Sequence, residues 1–255
     1  MKEILVAENS GFCFGVKQAI EKTEEQIKRK EKGEITGRIY TCGPLIHNRL
    51  VTNDLALSGA GIINSVSEGV SGDVVIVRSH GETRSFFEEA EEAGITVVDA
   101  TCPFVKKIQM LAESAYKAGK RVLIVGDGEH PEVKGINGWC EGSAIIVNAP
   151  EEAENIRGEN IFLVCQTTIK KDLLDEIIEV LRRNGVKFDI NNTICSATTL
   201  RQKSCRDLSE KCDVMVVIGG KDSSNTKKLY EIAKKVCKNA YFIEKNEDLP
   251  LRDRK

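Results

Sequence analysis

The 255-residue sequence has no CxxC pair, so it holds no compact local cluster or zinc motif of the ordinary kind. Its glycines form neither GxGxxG nor GxxxxGK[ST], and nothing in it points to a dinucleotide or a nucleoside triphosphate. No apolar run approaches the ~18 residues that span a bilayer. The N-terminal Ile4-Leu5-Val6-Ala7 is too short for the core of a signal peptide. Net charge is only −2, from 37 Lys+Arg against 39 Asp+Glu, so no global field draws the chain to nucleic acid or anionic lipid. An anionic ligand must therefore be held by a local site. The expectation is a cytoplasmic protein acting on a small molecule, with neither nucleic acid nor membrane as a partner.

Cysteine, by contrast, is abundant. There are nine, a high and odd number for a chain in a reducing compartment, where a disulfide framework is not expected. Some of them are candidates for metal ligation or thiol chemistry. At 41% hydrophobic and 30% charged residues the chain is globular. Its length suits one large domain or two to three small ones, at roughly 150 residues each.

Short β-branched runs alternate with charged segments of helical period. Strands are predicted at Ile4–Ala7, Val74–Val77, Thr96–Val98, Arg121–Val125, Ala144–Val147, Ile161–Val164, Lys187–Ile190, Val214–Ile218 and Ala240–Ile243. Helices are predicted at Val16–Lys32, Ser85–Ala93, Val105–Ala118, Lys171–Asn184 and Thr226–Lys238. The alternation predicts an α/β fold of parallel sheets covered by helices.

Three cysteines share one context, each following an extended segment and opening a polar or helical one. They are Cys13 in GFCFGV, Cys102 in ATCPFV and Cys195 in TICSAT, 89 and then 93 residues apart. Pro103 suits a first helical turn, where its missing N–H is no loss. Equal spacing at equivalent turns predicts three similar α/β units, each presenting one cysteine. Three thiolates from three distant turns can hold three irons of a [4Fe–4S] cube and leave the fourth iron open as a Lewis acid. Any one of them reads equally well as a small buried hydrophobe. Cys42, Cys140, Cys165, Cys205, Cys212 and Cys237 do not repeat the turn context and are expected to be such residues.

All three histidines, His47, His80 and His130, lie in polar, turn-like settings, and the last two follow strands, where open α/β sheets place ligands. Imidazoles there can donate to phosphate oxygens or relay protons. Glu132, two residues past His130, is a candidate proton donor. The run GGKDSSNT at Gly219–Thr226 combines a strand end, a glycine turn, Ser223, Ser224 and Asn225, and a helix start, which is an anion cradle beyond what capping needs. CQTT, ending at Thr168, closes a further strand with hydroxyls.

In these segments the sequence resembles the family of 4-hydroxy-3-methylbut-2-enyl diphosphate reductases, the last enzyme of the methylerythritol phosphate route to isoprenoids. GFCFGVKQAI, GPLIHNRLV, RSHGE, DATCPFVKK, GEHPEVKG, CQTT, TICSATTLRQ and GGKDSSNTKKL occur in family order from residue 11 to residue 229. The resemblance implies three α/β units arranged as a trefoil around a central [4Fe–4S] cluster, here residues 1–101, 102–194 and 195–255. It implies Cys13, Cys102 and Cys195 as cluster ligands with one iron open. His47, His80 and His130 would contact substrate, Ser223, Ser224 and Asn225 the diphosphate, Glu132 would relay a proton, and Thr167 would cooperate with it. The implied reaction is a reductive dehydration to isopentenyl or dimethylallyl diphosphate. Its electron donor would be a ferredoxin or flavodoxin, and the enzyme a monomer or weak dimer.

Asp222 stands where the family commonly has asparagine, and Ser196 and Leu200 also depart from its pattern. Family members continue past the equivalent of Pro250 into a Thr-Ala-Gly-Ala-Ser segment absent here, so the third unit is expected to lack about one strand and one helix. Other readings are a non-redox or quinolinate-synthase-like three-cysteine enzyme, an iron–sulfur sensor or carrier needing a fourth ligand, or an inactive fragment.

Overall fold

The computed structural model describes residues 3–250; the last residues of the expected third unit, 251–255, lie outside them. The chain forms two compact units. One gathers the described residues up to Cys13, His47–Val51 and the described residues from Cys195 onward; the other holds Phe14–Ile46 and Thr52–Ile194.

The larger unit opens with α1 (Phe14–Glu31) and contains two four-stranded sheets. The first sheet comprises β1 (Ile39–Cys42), β2 (Ala60–Ile63), β3 (Val74–Val77) and β4 (Thr96–Asp99), in the order β2-β1-β3-β4 and parallel throughout. Helix α2 (Arg49–Leu57) links β1 to β2, and α3 (Arg84–Glu92) links β3 to β4. After α4 (Pro103–Lys117) comes the second sheet: β5 (Arg121–Val125), β6 (Ile145–Val147), β7 (Ile161–Cys165) and β8 (Phe188–Ile190). Its order, β6-β5-β7-β8, repeats that of the first, again all parallel. Helices α5 (Pro131–Gly138), α6 (Pro150–Ala153) and α7 (Lys171–Arg183) complete it.

Parallel strands buried on both faces read as continuous apolar runs, which is why Val74–Val77 and Arg121–Val125 were legible as strands. Side chains nonetheless alternate between faces. Leu123, Val125, Leu163 and Cys165 pack with Leu174, Ile177 and Leu181 of α7. Val122, Ile124 and Val164 meet Ile108 and Ala112 of α4 and Val133 and Ile136 of α5. In the first sheet Val75 and Val77 pack with Phe86 and Ala90 of α3.

The smaller unit holds α8 (Ser196–Ser209), β9 (Met215–Ile218), α9 (Ser224–Val236) and β10 (Ala240–Ile243), the two strands pairing in parallel. Met215 and Val217 pack against Cys205, Ile232 and Ala233. The predicted α/β class and parallel pairing therefore hold. The strand expected at Ile4–Ala7 does not form: this stretch has no regular secondary structure and no strand pairing among the described residues, and Ile4 is 89% exposed. A short apolar run makes a strand only where a sheet edge receives it. Conversely β1 and β2 escaped prediction, being four residues each and diluted by Thr41, Cys42 and Gly61. Pairing of β1 with β3, and of β2 with β1, makes them strands.

Asp73, buried just ahead of β3, ties that strand to the start of β1. Its carboxylate accepts from the Arg38 N–H at 2.8 Å, the Val70 N–H at 3.1 Å and the Arg38 guanidinium at 3.2 Å. Burial alone pushes its pKa up, but these donors outweigh it and hold the carboxyl below its ordinary value. The stabilisation is complete above the unfolded-state pKa, about 3.9, and is lost as pH falls below it. Asp73→Asn is expected to lower stability by about 1–3 kcal/mol at pH 7, with the deficit shrinking toward pH 3. Urea unfolding at both pH values checks this, and a deficit independent of pH would refute it.

Candidate active site

Nearly every residue singled out in the sequence falls in a connection from a strand to the helix that follows. In the larger unit His80 lies between β3 and α3, Cys102 between β4 and α4, His130 between β5 and α5, and Thr167 between β7 and α7. In the smaller unit His47 follows β1, Cys195 immediately precedes α8, and Ser223 precedes α9.

His130 is the N-cap of α5, with Pro131 in the first turn. Its Nδ1 accepts the Glu132 N–H at 3.1 Å, which fixes the neutral ring as the tautomer with its proton on Nε2. The His80 ring stands edge-on to it, centroids 5.2 Å apart at 82°. Glu132 is 2% exposed, and both its oxygens are engaged by Thr167: the N–H donates to Oε1 at 2.6 Å and the hydroxyl to Oε2 at 2.8 Å. The structure thus brings His80, His130, Glu132 and Thr167 together at the carboxyl ends of β3, β5 and β7.

The loop carrying His80 is itself clamped. Arg78 donates to the Glu82 carboxylate through Nε at 2.8 Å and lies within 2.6 Å through its terminal nitrogen. Trp139 Nε1 and Gln109 Nε2 both donate to the Glu82 carbonyl, at 3.0 and 3.3 Å. Gln166 is fully buried, its Oε1 accepting the Asp127 N–H at 3.2 Å while its Nε2 has no partner among the described residues. In the sequence Arg78, Glu82 and Gln166 are generic polar residues within RSHGE and CQTT, and only their burial and partners reveal these roles.

In the smaller unit Ser223 caps α9, accepting the Thr226 N–H at 3.2 Å and the Thr226 hydroxyl at 2.9 Å. Ser224 and Asn225 form the first turn, where N–H groups and the helix dipole favour an anion. Asn225 Oδ1 is buried with no partner among the described residues. Gly220 packs so closely on the His47 main chain that a Cβ there would overlap the His47 carbonyl oxygen, bringing His47 to this loop. Asp222 is paired at 3.2 Å with Arg49, an exposed contact that tempers its charge.

None of the nine cysteines forms a disulfide. Cys102 and Cys195 are helix N-caps with no side-chain cap bond, and Cys13 directly precedes α1. Each is half-buried. A Cβ at Gly15 would come within 2.5 Å of Cys102 Sγ, so the glycine leaves that sulfur its space. The segment bearing Cys13 is laced to α8, which Cys195 caps: Arg201 donates to the Gly11 carbonyl at 3.0 Å and Asn9 to Ser204 Oγ at 2.9 Å. Nothing in the sequence around Arg201 signals this contact, which depends on a partner 190 residues away. Soft thiolate donors at helix starts fit an iron–sulfur group. The other thiols differ. Burial, with Glu82 adding to it, pushes Cys42 up to about 12, and burial pushes Cys140 up to about 11.

The class defined by these features is an α/β protein of repeated parallel strand–helix units with thiols, imidazoles and a hydroxyl- and amide-bearing helix start in the strand-to-helix loops. The family model described as LytB protein matches residues 4–254, and the chain belongs to that family. Over 250 residues it is 46% identical to a 4-hydroxy-3-methylbut-2-enyl diphosphate reductase of Caldanaerobacter subterraneus subsp. tengcongensis, covering 97% of this chain and 85% of that protein. A protein of the same name from Clostridium perfringens strain SM101 is 45% identical over 254 residues, covering 97% and 86%. The solved structure of the E-1-hydroxy-2-methyl-but-2-enyl-4-diphosphate reductase from Plasmodium falciparum matches with a TM-score of 0.87 at 28% identity, over 95% of this chain and 76% of that one. A second, titled (E)-4-hydroxy-3-methyl-but-2-enyl diphosphate reductase, the terminal enzyme of the non-mevalonate pathway, matches with a TM-score of 0.71 at 38% identity, over 99% and 89%. No helix among the described residues is long and apolar enough to cross a membrane.

Iodoacetamide at pH 8 is expected to label Cys13, Cys102 and Cys195 of cluster-free protein well before Cys42 and Cys140. Peptide mapping by mass spectrometry checks the order; early labelling of Cys42 or Cys140 would contradict it.

Proposed function

We propose that the chain is a reductase converting 4-hydroxy-3-methylbut-2-enyl diphosphate to isopentenyl and dimethylallyl diphosphate. The allylic C–O bond breaks, a C–H bond forms, and the balance consumes two electrons and two protons and releases one water. The observation that carries this reading is the buried Glu132, held at both oxygens by Thr167 beside the His130–His80 pair. It places a carboxyl group able to carry a proton next to imidazole donors for a phosphorylated substrate. The names of the relatives agree with it.

Cys13, Cys102 and Cys195 are the residues that would hold a [4Fe–4S] cluster, one from each of three successive units, 1–101, 102–194 and 195–255. The repeated strand order of the two four-stranded sheets supports that division. When bound, such a cluster supplies electrons singly and an open iron as Lewis acid. The rest of the work falls to side chains. His130 presents Nε2–H, and with His80 and His47 it binds and orients substrate. Ser223, Ser224, Asn225 and the start of α9 take the diphosphate, through donors from hydroxyl groups, the Asn225 side-chain NH2 and the first-turn backbone N–H groups. Thr167 keeps Glu132 in one orientation, and Glu132 gives its proton to the departing hydroxyl. Electrons come from an external carrier, a ferredoxin or flavodoxin. The enzyme acts in the cytoplasm as a monomer or weak dimer.

Anaerobic oxidation of reduced methyl viologen by cluster-loaded protein on adding the substrate tests the proposal. Glu132→Gln is expected to lower kcat by about 10²–10⁴-fold with cluster absorbance intact and KM little changed. Thr167→Ser should retain far more activity than Thr167→Val. No turnover by the loaded wild type, or full activity in Glu132→Gln, would overturn the reading.

A further inference from the structure

Reduction needs electrons that no side chain here can supply, so the chain must receive a carrier. Resting on the reductase reading, we propose that the N-terminal turns of α1 and α4 form the docking surface for a small acidic iron–sulfur carrier of the ferredoxin kind.

The two helix starts adjoin. Gly15, in the first turn of α1, lies against Cys102 Sγ at the cap of α4, both within the larger unit. Helix α4 buries Val105, Ile108, Gln109 and Ala112 and turns Pro103, Lys106, Lys107 and Met110 outward, an exposed stripe of helical period. Helix α1 buries Gly15, Ala19 and Thr23 and exposes Phe14 and Lys17. Large apolar side chains are left in water here: Phe14 is 65% exposed, Phe104 45% and Met110 63%. Between the helices lies a cavity of about 340 Å³, flanked by Lys22, Lys106 and Lys107.

The charge balance is local and positive. Asp99, the carboxylate lining this cavity, is already paired with Lys106, and its carbonyl accepts from Lys22 at 2.6 Å. Lys17 and Lys107 make no ion pair among the described residues. The first two turns of α1 carry one carboxylate, Glu21. A protein of net charge −2 thus sets exposed aromatics among lysines beside one proposed ligand cysteine. An apolar centre with a charged rim is the anatomy of a protein interface, and a small, weak one suits a carrier that must leave again. The lysines would steer an acidic partner and fix its orientation. A second copy seated here would set lysine against lysine.

The test is anaerobic calorimetric titration of cluster-loaded protein with a purified acidic bacterial ferredoxin. Lys17→Glu/Lys107→Glu should weaken binding about tenfold or more and flatten its salt dependence. Lys28→Glu/Lys32→Glu, the same charge change in the last turn of α1 and just past its end, should not. Phe14→Ala/Phe104→Ala should weaken binding without altering the salt dependence. Viologen-driven turnover should be unchanged in all three. Unaltered ferredoxin affinity in Lys17→Glu/Lys107→Glu, or equal weakening by the distal pair, would overturn the proposal. Absent viologen turnover in the wild type would instead tell against the reductase reading.

Discussion

Parallel strand pairing is the constraint from which the rest follows. Two parallel neighbours cannot be joined by a hairpin; the chain must cross back through a helix, and each crossing leaves its strand at the carboxyl end. Each strand-to-helix loop therefore opens at the same edge of its own sheet, beside the start of a helix. Cys102, His80, His130 and Thr167 occupy such loops in the larger unit, and Ser223 does so in the smaller. Helix starts offer N–H groups and a positive dipole, which favour a thiolate, a carboxylate or a phosphate. The fold supplies an electrophilic rim, and the sequence decides what each position on it does.

The division among the nine thiols illustrates the point. Cys42, Cys140, Cys165 and Cys205 lie within strands or against helix faces, where burial holds each pKa above its ordinary value. Cys13, Cys102 and Cys195 stand half-buried at the starts of helices, kept in place by backbone elements and not by caps of their own. Gly15 and Arg201 matter because they shape those positions: one leaves room for a sulfur, the other holds the Gly11–Cys13 segment to α8.

Much of this was legible because it is local. Buried parallel strands such as β3 and β5 are continuous apolar runs, and α7 shows its apolar stripe at Leu174, Ile177, Ile178 and Leu181. The candidate site was legible because cysteines, histidines and a Ser-Ser-Asn run are unusual residues in unusual turns. What stayed hidden depends on distant partners. β1 and β2 are strands by virtue of what they pair with, and Ile4–Ala7 is not one for want of a partner. α8, polar along most of its length, has almost no stripe to read. Arg78 and Glu82 became meaningful only when seen to clamp the His80 loop from both ends, and Gln166 only when found wholly buried.

The account depends most on the assignment of three thiols and no others to the metal group. Iron and sulfide content, with the electron paramagnetic resonance spectrum, measured on nine single Cys→Ser variants reconstituted anaerobically, addresses it directly. The account predicts that Cys13→Ser, Cys102→Ser and Cys195→Ser lose the cluster while the other six keep four irons and an unchanged spectrum. A full cluster in any of the first three, or its loss in a folded Cys42→Ser or Cys140→Ser protein, would contradict it.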